Sequence, residues 1–496
     1  MKTYIILIVI ACFSLVTSCK KGALDEQVYS SIYTEKFYKT AADAEAAMTA
    51  AYGPMADLYN TAGTCASDFS SDQSYARPVV GRDTYALYNY DPNYTTQKSF
   101  GRDFESPLAI WRSCYAGIEK SNWVLERVPA TNMDVARRTA ILGEAFFLRA
   151  FYHWTLTKNF GDVVLKIHSS SDPASAYAPV SPKADVYKQI FADLDSAVAD
   201  LPGYSASIQK GRPSKEAALA LYAKAALYGE NYSLSLEKAE DVISSGKYRL
   251  MADVRDLYSV PKEDEARQEN MWAFECESTT PGLGSQIHSL WGPRSSNGPE
   301  YLVQSFGSAL VYQSFFDSFN PNDKRRQLLD TTYVGKDGNI VHQKDVDVAT
   351  PQAVLLKKYQ DPNSNGSRGA TNIQILRLAD VYLIASEAEA RLNGGSSKAY
   401  RYIDSIRHRA GLNDLTPGLS QDAFIDSVLQ ERSWEFFGEG DRWYDLTRTD
   451  KFLTVIPTAV NNIYPVRTPS AKNKYFPIPL DEINANPGVK QNPAWQ

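Results

Sequence analysis

Carboxylates and guanidiniums alternate over a short segment near the C-terminus. Glu431 and Glu435 lie four residues apart, which places them on one helix face, and Arg442, Asp445 and Arg448 follow. Two carboxylates can act as acid and nucleophile in glycoside hydrolysis. A general acid needs a raised pKa, whereas neighbouring arginines hold a carboxylate ionised. The pattern therefore favours an ion-pair network that fixes helix register, and a glycoside hydrolase is the less favoured alternative.

Other catalytic signatures are missing from the sequence. It contains no HExxH, no GxSxG, no GKS/T phosphate loop and no dinucleotide-binding glycine pattern. The 5 histidines are scattered, and His153, next to Trp154 in a helical pattern, is typical of a packed side chain. We therefore predict a protein that is not an enzyme.

One fragment imitates the start of a calcium-binding loop. Asp361, Asn363 and Asn365 have the right spacing, but the twelfth position is Asn372, where such a loop needs a bidentate glutamate. A polar turn is favoured, with a structural calcium ion as the alternative. No other cofactor is predicted.

The N-terminus has the pattern of an export signal. Lys2 precedes an apolar run at residues 5–15, which is shorter than the roughly 20 residues that a membrane-spanning helix needs. The run ends at Val16-Thr17-Ser18-Cys19, which resembles a lipobox, so we predict a signal peptide at 1–18, lipid on Cys19 and a tether at 19–36. Several acyl chains would anchor the protein durably. A disulfide among Cys65, Cys114 and Cys276 stays open.

Composition directs attention to two aromatic, irregular stretches. The chain has 31 Tyr and a net charge of −6 without a basic stripe, so nucleic acid is not a predicted partner. Residues 61–105 and 281–301 are rich in Tyr, Asp, Asn and Arg and show no persistent period, and long irregular segments in compact proteins are often functional. Aromatic rings beside hydrogen-bonding groups suit a sugar ligand.

Most of the chain has helical periodicity. Helices are predicted at 41–58, 108–128, 135–159, 184–201, 214–229, 233–245, 376–392, 397–410 and 422–439. Small residues at their contacts are similar to those of tetratricopeptide pairs, although the spacing is not a uniform repeat. We predict one body over 37–496, with a helical scaffold at 37–250 and 373–450, a loop-rich insertion at 251–372 that includes a hairpin turn at 336–339, and a C-terminal wrap at 451–496.

Several distinctive motifs follow one another along the chain. They are GEAFFLRA at 143–150, NFGDVV at 159–164, RPSKEAA at 212–218, VISSGKY at 242–248, LRLADVYL at 376–383, IRHRAGL at 406–412, ERSWE at 431–435, EGDRWYDL at 439–446 and FPIP at 476–479. In this order they resemble the motifs of the SusD/RagB family of outer-membrane nutrient-binding lipoproteins. Val164 stands where the family usually has proline, and Ser386 departs from its AEA pattern.

The resemblance implies a fold and a role. The fold would be mainly α, with tetratricopeptide-like helix pairs in a right-handed scaffold, long irregular loops and a few short β-hairpins. The protein would be lipid-anchored in the outer membrane, face the exterior, bind a glycan and pass it to a TonB-dependent, SusC-like transporter. A peptide ligand of the RagB type is the alternative. Within the aromatic stretches we predict Trp291 and Tyr94 as platforms, with Asp72 and Arg82 as hydrogen-bonding partners.

Overall fold

The computed structural model describes residues 37–78, 82–92, 105–170, 177–279, 283–294, 296, 298–301, 305–346, 353–362 and 364–496. The longer helices are α1 (Ala41–Tyr52), α2 (Pro107–Arg127), α3 (Val135–Phe160), α4 (Lys183–Asp200), α5 (Lys215–Tyr228), α6 (Tyr232–Ser245), α7 (Leu378–Asn393), α8 (Ser397–Arg409), α9 (Gln421–Phe436) and α10 (Arg442–Arg448). Among the described residues, no helix is both long enough and apolar enough to cross a bilayer.

Side-chain caps and small residues explain the helical stack. The hydroxyls of Thr40 and Ser214 accept hydrogen bonds from the first turns of α1 and α5, as N-cap residues do. Helix α5 is buried almost throughout, because its six alanines let neighbouring helices approach closely. Each of α1 to α6 packs on the next, and α6 packs on α7 although about 130 residues separate them in sequence. The mainly α, paired-helix architecture is confirmed.

The strands are short and join distant parts of the chain. They are β1 (Ser74–Ala76), β2 (Asn270–Phe274), β3 (Ala309–Val311), β4 (Leu329–Asp330), β5 (Thr332–Val334), β6 (Ile340–His342), β7 (Leu355–Leu356) and β8 (Ile373–Arg377). All pair antiparallel: β1 with β3, β2 with β8, β4 with β7, and β5 with β6. The last pair confirms the predicted hairpin at 336–339.

Two predicted boundaries were wrong. The stretch from residue 61 begins as helix, because a π-helical segment (Leu58–Ala62) continues into Gly63–Ser67. A π-helix has a wider turn, which breaks the 3.6-residue pattern that the prediction relied on. Residues 376 and 377 are strand, because β8 pairs with β2 about 100 residues earlier. A local pattern cannot show such a partner.

The remaining segments are short helices that cover the stack. They comprise Met55–Asp57, Asp83–Leu87, Val128–Ala130, Val254–Tyr258, Val260–Lys262, Glu263–Ala266, Ile287–Trp291, Gln313–Asp317, Lys324–Leu328, Gln343–Val346, Phe452–Val455, Ile456–Thr458, Ala471–Lys474, Leu480–Ala485 and Pro493–Trp495. One apolar core takes side chains from the helices, the insertion and the C-terminal segment, and a smaller core lies between α7, α8 and α9. The C-terminal segment therefore packs on the body, as a wrap would.

Candidate functional site

The two aromatic stretches lie side by side. Strand β1, in the first stretch, pairs with β3, which follows the second. The Arg77 amide donates to the Ser308 carbonyl oxygen over 2.8 Å, and the Ser285 hydroxyl donates to the Tyr59 carbonyl oxygen over 2.7 Å. We call the surface formed by described residues 68–92 and 283–309 the loop face.

Arg82 joins the two stretches of the loop face through buried hydrogen bonds. Its guanidinium is buried, binds the Glu105 carboxylate through two nitrogens, one of them at 2.8 Å, and also donates to the Ser308 hydroxyl. The Tyr85 hydroxyl donates to the Glu105 carbonyl oxygen over 2.7 Å. A buried charge needs such partners to offset its desolvation. In this arrangement Arg82 positions both stretches rather than facing solvent.

Asp72 is engaged in a similar way. Its two carboxylate oxygens accept hydrogen bonds from Arg442 of α10 over 2.7 and 2.8 Å, a bidentate geometry that fixes both side chains. The Asp72 side chain is only 15% exposed. The pair ties the first aromatic stretch to the end of the helical stack.

The predicted platform Trp291 is part of the core. It is 1% exposed, and its indole N–H finds no hydrogen-bond partner within the described part of the chain. Tyr75, Tyr85 and Tyr90 are also buried, and the Tyr75 ring lies 4.7 Å from that of Tyr312. Trp291, Tyr75, Tyr85 and Tyr90 all belong to the segments that define the loop face, but they are buried within it. That Trp291 contacts a ligand stays a prediction.

Arg294, in the second aromatic stretch, has a side chain that reaches solvent. It is exposed, and its backbone packs against Gly307, whose φ is +56°. A Cβ on Gly307 would lie 2.9 Å from the Arg294 amide nitrogen, so glycine is required there. The predicted residues Cys19, Tyr94 and Asn363 lie outside the described residues.

The predicted charge cluster consists of buried ion pairs, but its residues do not form a single network, and Glu435 pairs with arginines from outside the cluster. Glu435, which is 0% exposed, contacts Arg325, Arg377 and Arg409. Burial alone would raise the pKa of Glu435, but the three guanidiniums outweigh it and hold that pKa well below its usual range. Through shared partners the network also includes Glu269, Asp323, Lys358, Arg407, Glu431 and Glu439.

A second network joins α5, α7, α9 and α10. Arg432 binds Asp380 over 2.6 Å and Asp445 over 2.7 Å, and Arg448 binds Glu387. Burial opposes ionisation of Glu387, but Arg448 leads a set of arginines that lowers its pKa to about 2. A carboxylate that is buried, ionised and paired cannot serve as the general acid of a glycosidase. Both networks therefore have a structural role, as predicted.

The other predicted polar sites are packed. His153 is fully buried, its Nδ1 lies 3.0 Å from the Arg149 carbonyl oxygen, and burial together with the Arg149 charge lowers its pKa to about 3. Asp361 is buried and accepts a hydrogen bond from the Ala370 amide over 2.6 Å, whereas Asn365 is exposed. In the described ranges, no group of three or more His, Cys, Asp or Glu side chains could hold a metal ion. Calcium stays a prediction.

The three cysteines of the body are free thiols. Cys65, Cys114 and Cys276 are all buried, and none is bonded to another. Burial raises the pKa of the Cys114 thiol, which makes it unreactive. The alternative of a disulfide is therefore excluded in this structure.

Sequence reasoning missed an interior cavity of about 80 Å³. It lies behind the π-helical segment, and its lining includes Lys158, Lys224 and Asp441. Burial, reinforced by the Lys224 charge, lowers the pKa of Lys158 to about 7. Nearby, burial raises the pKa of Asp68 to about 8. Asp441 lies in the 439–446 motif. No motif marks Lys158, Lys224 or Asp68, because distant segments bring them together.

Comparison with known proteins identifies the fold and the family. Residues 311–495 match the family profile described as "SusD family", and residues 23–227 match the profile "Starch-binding associating with outer membrane". The chain belongs to the SusD family. This assignment supports a glycan-binding role in association with the outer membrane.

Relatives within the SusD family match over most of their length. The chain is 27% identical to SusD-like protein P2 of Formosa agariphila over 99% of both chains, and 25% identical to starch-binding protein SusD of Bacteroides thetaiotaomicron over 76% of this chain and 77% of that one. Among solved structures, surface glycan-binding protein A from Bacteroides uniformis has a TM-score of 0.76 and 24% identity, with 92% of this chain and 100% of that chain covered. The structure of surface glycan-binding protein A from Bacteroides thetaiotaomicron in complex with laminarihexaose has a TM-score of 0.74 and 21% identity, and it covers 92% of this chain and 100% of that chain.

Proposed function

We propose that this SusD-family protein captures an oligo- or polysaccharide outside the cell and passes it to a TonB-dependent outer-membrane transporter without cleaving it. Lipid on Cys19 would hold it at the outer membrane with its body facing the exterior. Support comes from the family assignment and from relatives named for starch and laminarin binding.

The observation that carries the proposal is the joining of the two aromatic stretches into one face. Arg82, Glu105 and Ser308 fix their relative position through buried hydrogen bonds. A binding surface that is already in position costs less ordering entropy when a ligand arrives. Preorganised loops are therefore suited to hold a polymer.

The residues divide into two proposed roles. Tyr94 and the exposed Arg294 would contact the sugar, by ring stacking and by hydrogen bonding to hydroxyl groups respectively. Asp72, Arg82 and Trp291 would position them, because the structure engages these three in ion pairs or packing. A structural calcium ion bound by Asp361, Asn363 and Asn365 remains part of the proposal.

A glycan array that includes peptides as comparison ligands tests ligand class and site together. The Cys19→Ser chain should bind one or more glycans, and Tyr94→Ala and Arg294→Ala should each weaken that binding by about threefold to tenfold. Tyr94→Phe keeps the ring and is the matched control. Its affinity for the glycan should lie within about twofold of that of the Cys19→Ser chain. Binding of peptides alone, or release of cleaved sugar, would refute the proposal.

Location and transport need separate measurements. In cells fed an alkyne-bearing fatty acid, the wild-type protein should become labelled and Cys19→Ala should not, which tests lipidation. An antibody against residues 37–496 should bind to intact cells, which tests exposure at the cell surface. The wild type should also co-purify with a TonB-dependent transporter from detergent extracts. Metal analysis of the purified chain, with Asp361→Asn as its control, tests the calcium proposal.

A further inference from the structure

A groove runs between α2 and the C-terminal helix Leu480–Ala485. Two adjoining hollows of about 510 and about 560 Å³ share the residues Trp111, Arg112, Glu482 and Ala485, and so form one continuous depression, the α2 groove. Volumes of roughly 300–1,000 Å³ are typical of sites for small ligands. None of the described residues that line it belongs to the loop face.

The floor of the α2 groove is apolar and aromatic. The rings of Trp111 and Tyr115 lie 4.9 Å apart, and the side chains of Ile118 and Val164 are buried beside them. The Tyr115 hydroxyl donates to the Val164 carbonyl oxygen over 2.9 Å, which fixes the ring. Trp111, Ile118 and Val164 are almost fully buried, so of these four side chains the half-buried Tyr115 ring can pack against the C–H face of a sugar ring.

The rim of the α2 groove is polar, and its charges nearly cancel. Arg112 pairs with Asp481 over 3.0 Å, and both side chains are at least half exposed. The Glu119 carboxylate accepts hydrogen bonds from the Trp123 indole and the Ser170 amide, each over 2.8 Å, and from the Ser170 hydroxyl over 3.1 Å. Glu482 accepts one from the Trp111 indole over 3.3 Å.

A carboxylate offers about four acceptor positions, so Asp481 and Glu482 can still accept bonds from hydroxyl groups. With Lys166 as the second cation, the described lining residues include three carboxylates and two positive charges. This balance disfavours an anionic polymer and suits a neutral ligand that is rich in hydroxyls.

Tyr177 supplies an exposed ring at the edge of the α2 groove. Its side chain is 54% exposed, and the chain on its C-terminal side is held by contacts to Ala178. The Asn486 side-chain amide donates to the Ala178 carbonyl oxygen over 3.2 Å, and a Cβ on Gly488 would lie 3.3 Å from the backbone of Ala178. An exposed ring on an anchored backbone is suited to stack on a ligand at little entropic cost.

We propose that the α2 groove is a second saccharide-binding site, specific for a short segment of a neutral oligosaccharide. The proposal rests on the glycan-binding function above and adds to it a site that is separate from the loop face. Two sites on one protein would hold a single polymer more tightly than either alone, since binding at one raises the effective concentration at the other.

Titration calorimetry with laminarihexaose, maltohexaose and the neutral oligosaccharides bound on the array tests this proposal. We expect two binding sites per wild-type chain for at least one of these ligands. Tyr177→Ala should weaken one site by about threefold to tenfold and leave the other unchanged. Tyr177→Phe retains the ring and should behave like the wild type. Because Tyr177 is exposed, neither variant should affect folding.

The loop-face variant Arg294→Ala separates this proposal from the main one. It should weaken the other site and leave the Tyr177-dependent site unchanged. One site for every neutral oligosaccharide, or unchanged binding in Tyr177→Ala, would overturn the second site while leaving the loop face intact. A Tyr177-dependent site that binds only hexagalacturonate, an acidic probe, or only peptides would overturn the proposed specificity. Absence of any glycan binding would instead remove the function on which the second site rests.

Discussion

Neutralising Glu435 tests whether the charge motifs near the C-terminus are structural. The network to which Glu435 belongs has five carboxylates and five cations, so Glu435→Gln leaves one buried positive charge without compensation. Glutamine keeps the shape and one acceptor, but it cannot serve Arg325, Arg377 and Arg409 together. Removing one partner of a buried pair costs about 3–5 kcal/mol. We expect a loss of that size in the free energy of unfolding.

Urea unfolding at neutral pH, followed by circular dichroism, measures that loss. Glu237→Gln is the matched control, because Glu237 is 60% exposed and pairs only with Lys238 at the surface. Glu237→Gln should change the free energy of unfolding by no more than about 0.5 kcal/mol. Glycan binding by folded Glu435→Gln should be unchanged, since the side chain is 0% exposed.

The pH dependence of the same effect has a defined sign. The folded-state pKa of Glu435 lies below its unfolded value of about 4.3, so its contribution to stability is complete above that value and is lost as pH falls further. The difference between wild type and Glu435→Gln should therefore shrink in acid. A loss below about 1 kcal/mol at neutral pH would refute the ion-pair reasoning. So would a stable variant that had lost a hydrolytic activity of the wild type.

Three further changes test packing and burial. Gly117→Ala should lower the free energy of unfolding in urea by about 1–3 kcal/mol or more, because the new Cβ would lie 2.2 Å from the Tyr152 ring. A variant as stable as the wild type would contradict this. Trp291→Ala should cost about 3–5 kcal/mol by the same measurement, and a smaller loss would favour a surface platform. For Asp68, whose pKa is raised to about 8, the folded state keeps a proton that the unfolded state releases above about pH 4. As pH rises from about 4 to about 8, the free energy of unfolding should therefore fall more steeply for the wild type than for Asp68→Asn. Equal pH slopes for the two proteins would exclude a neutral Asp68.

Helix positions were largely predictable from the sequence because their causes are local. Ser214 caps α5 and the glycine after α6 ends it, and both signals lie within a turn of the boundary. The ion-pair role predicted for Glu435 is confirmed, but its partners Arg325, Arg377 and Arg409 lie far from it in sequence, and the tertiary structure supplies them. The family followed from motifs whose order, rather than any single residue, is specific.

The binding surfaces depended on contacts that the sequence does not record. Composition identified the aromatic stretches, but it could not show that Arg82 turns inward to Glu105 or that Trp291 is buried. The α2 groove escaped sequence reasoning altogether, because it forms where Tyr177 and Glu482, about 300 residues apart, approach α2.

The sequence by itself therefore determined the helical scaffold and its family, since periodicity, caps and motifs act over a few residues. Only the tertiary structure decided which polar and aromatic side chains face solvent. Exposure depends on which distant segments pack together, and packing is set by the whole core rather than by neighbours in the chain.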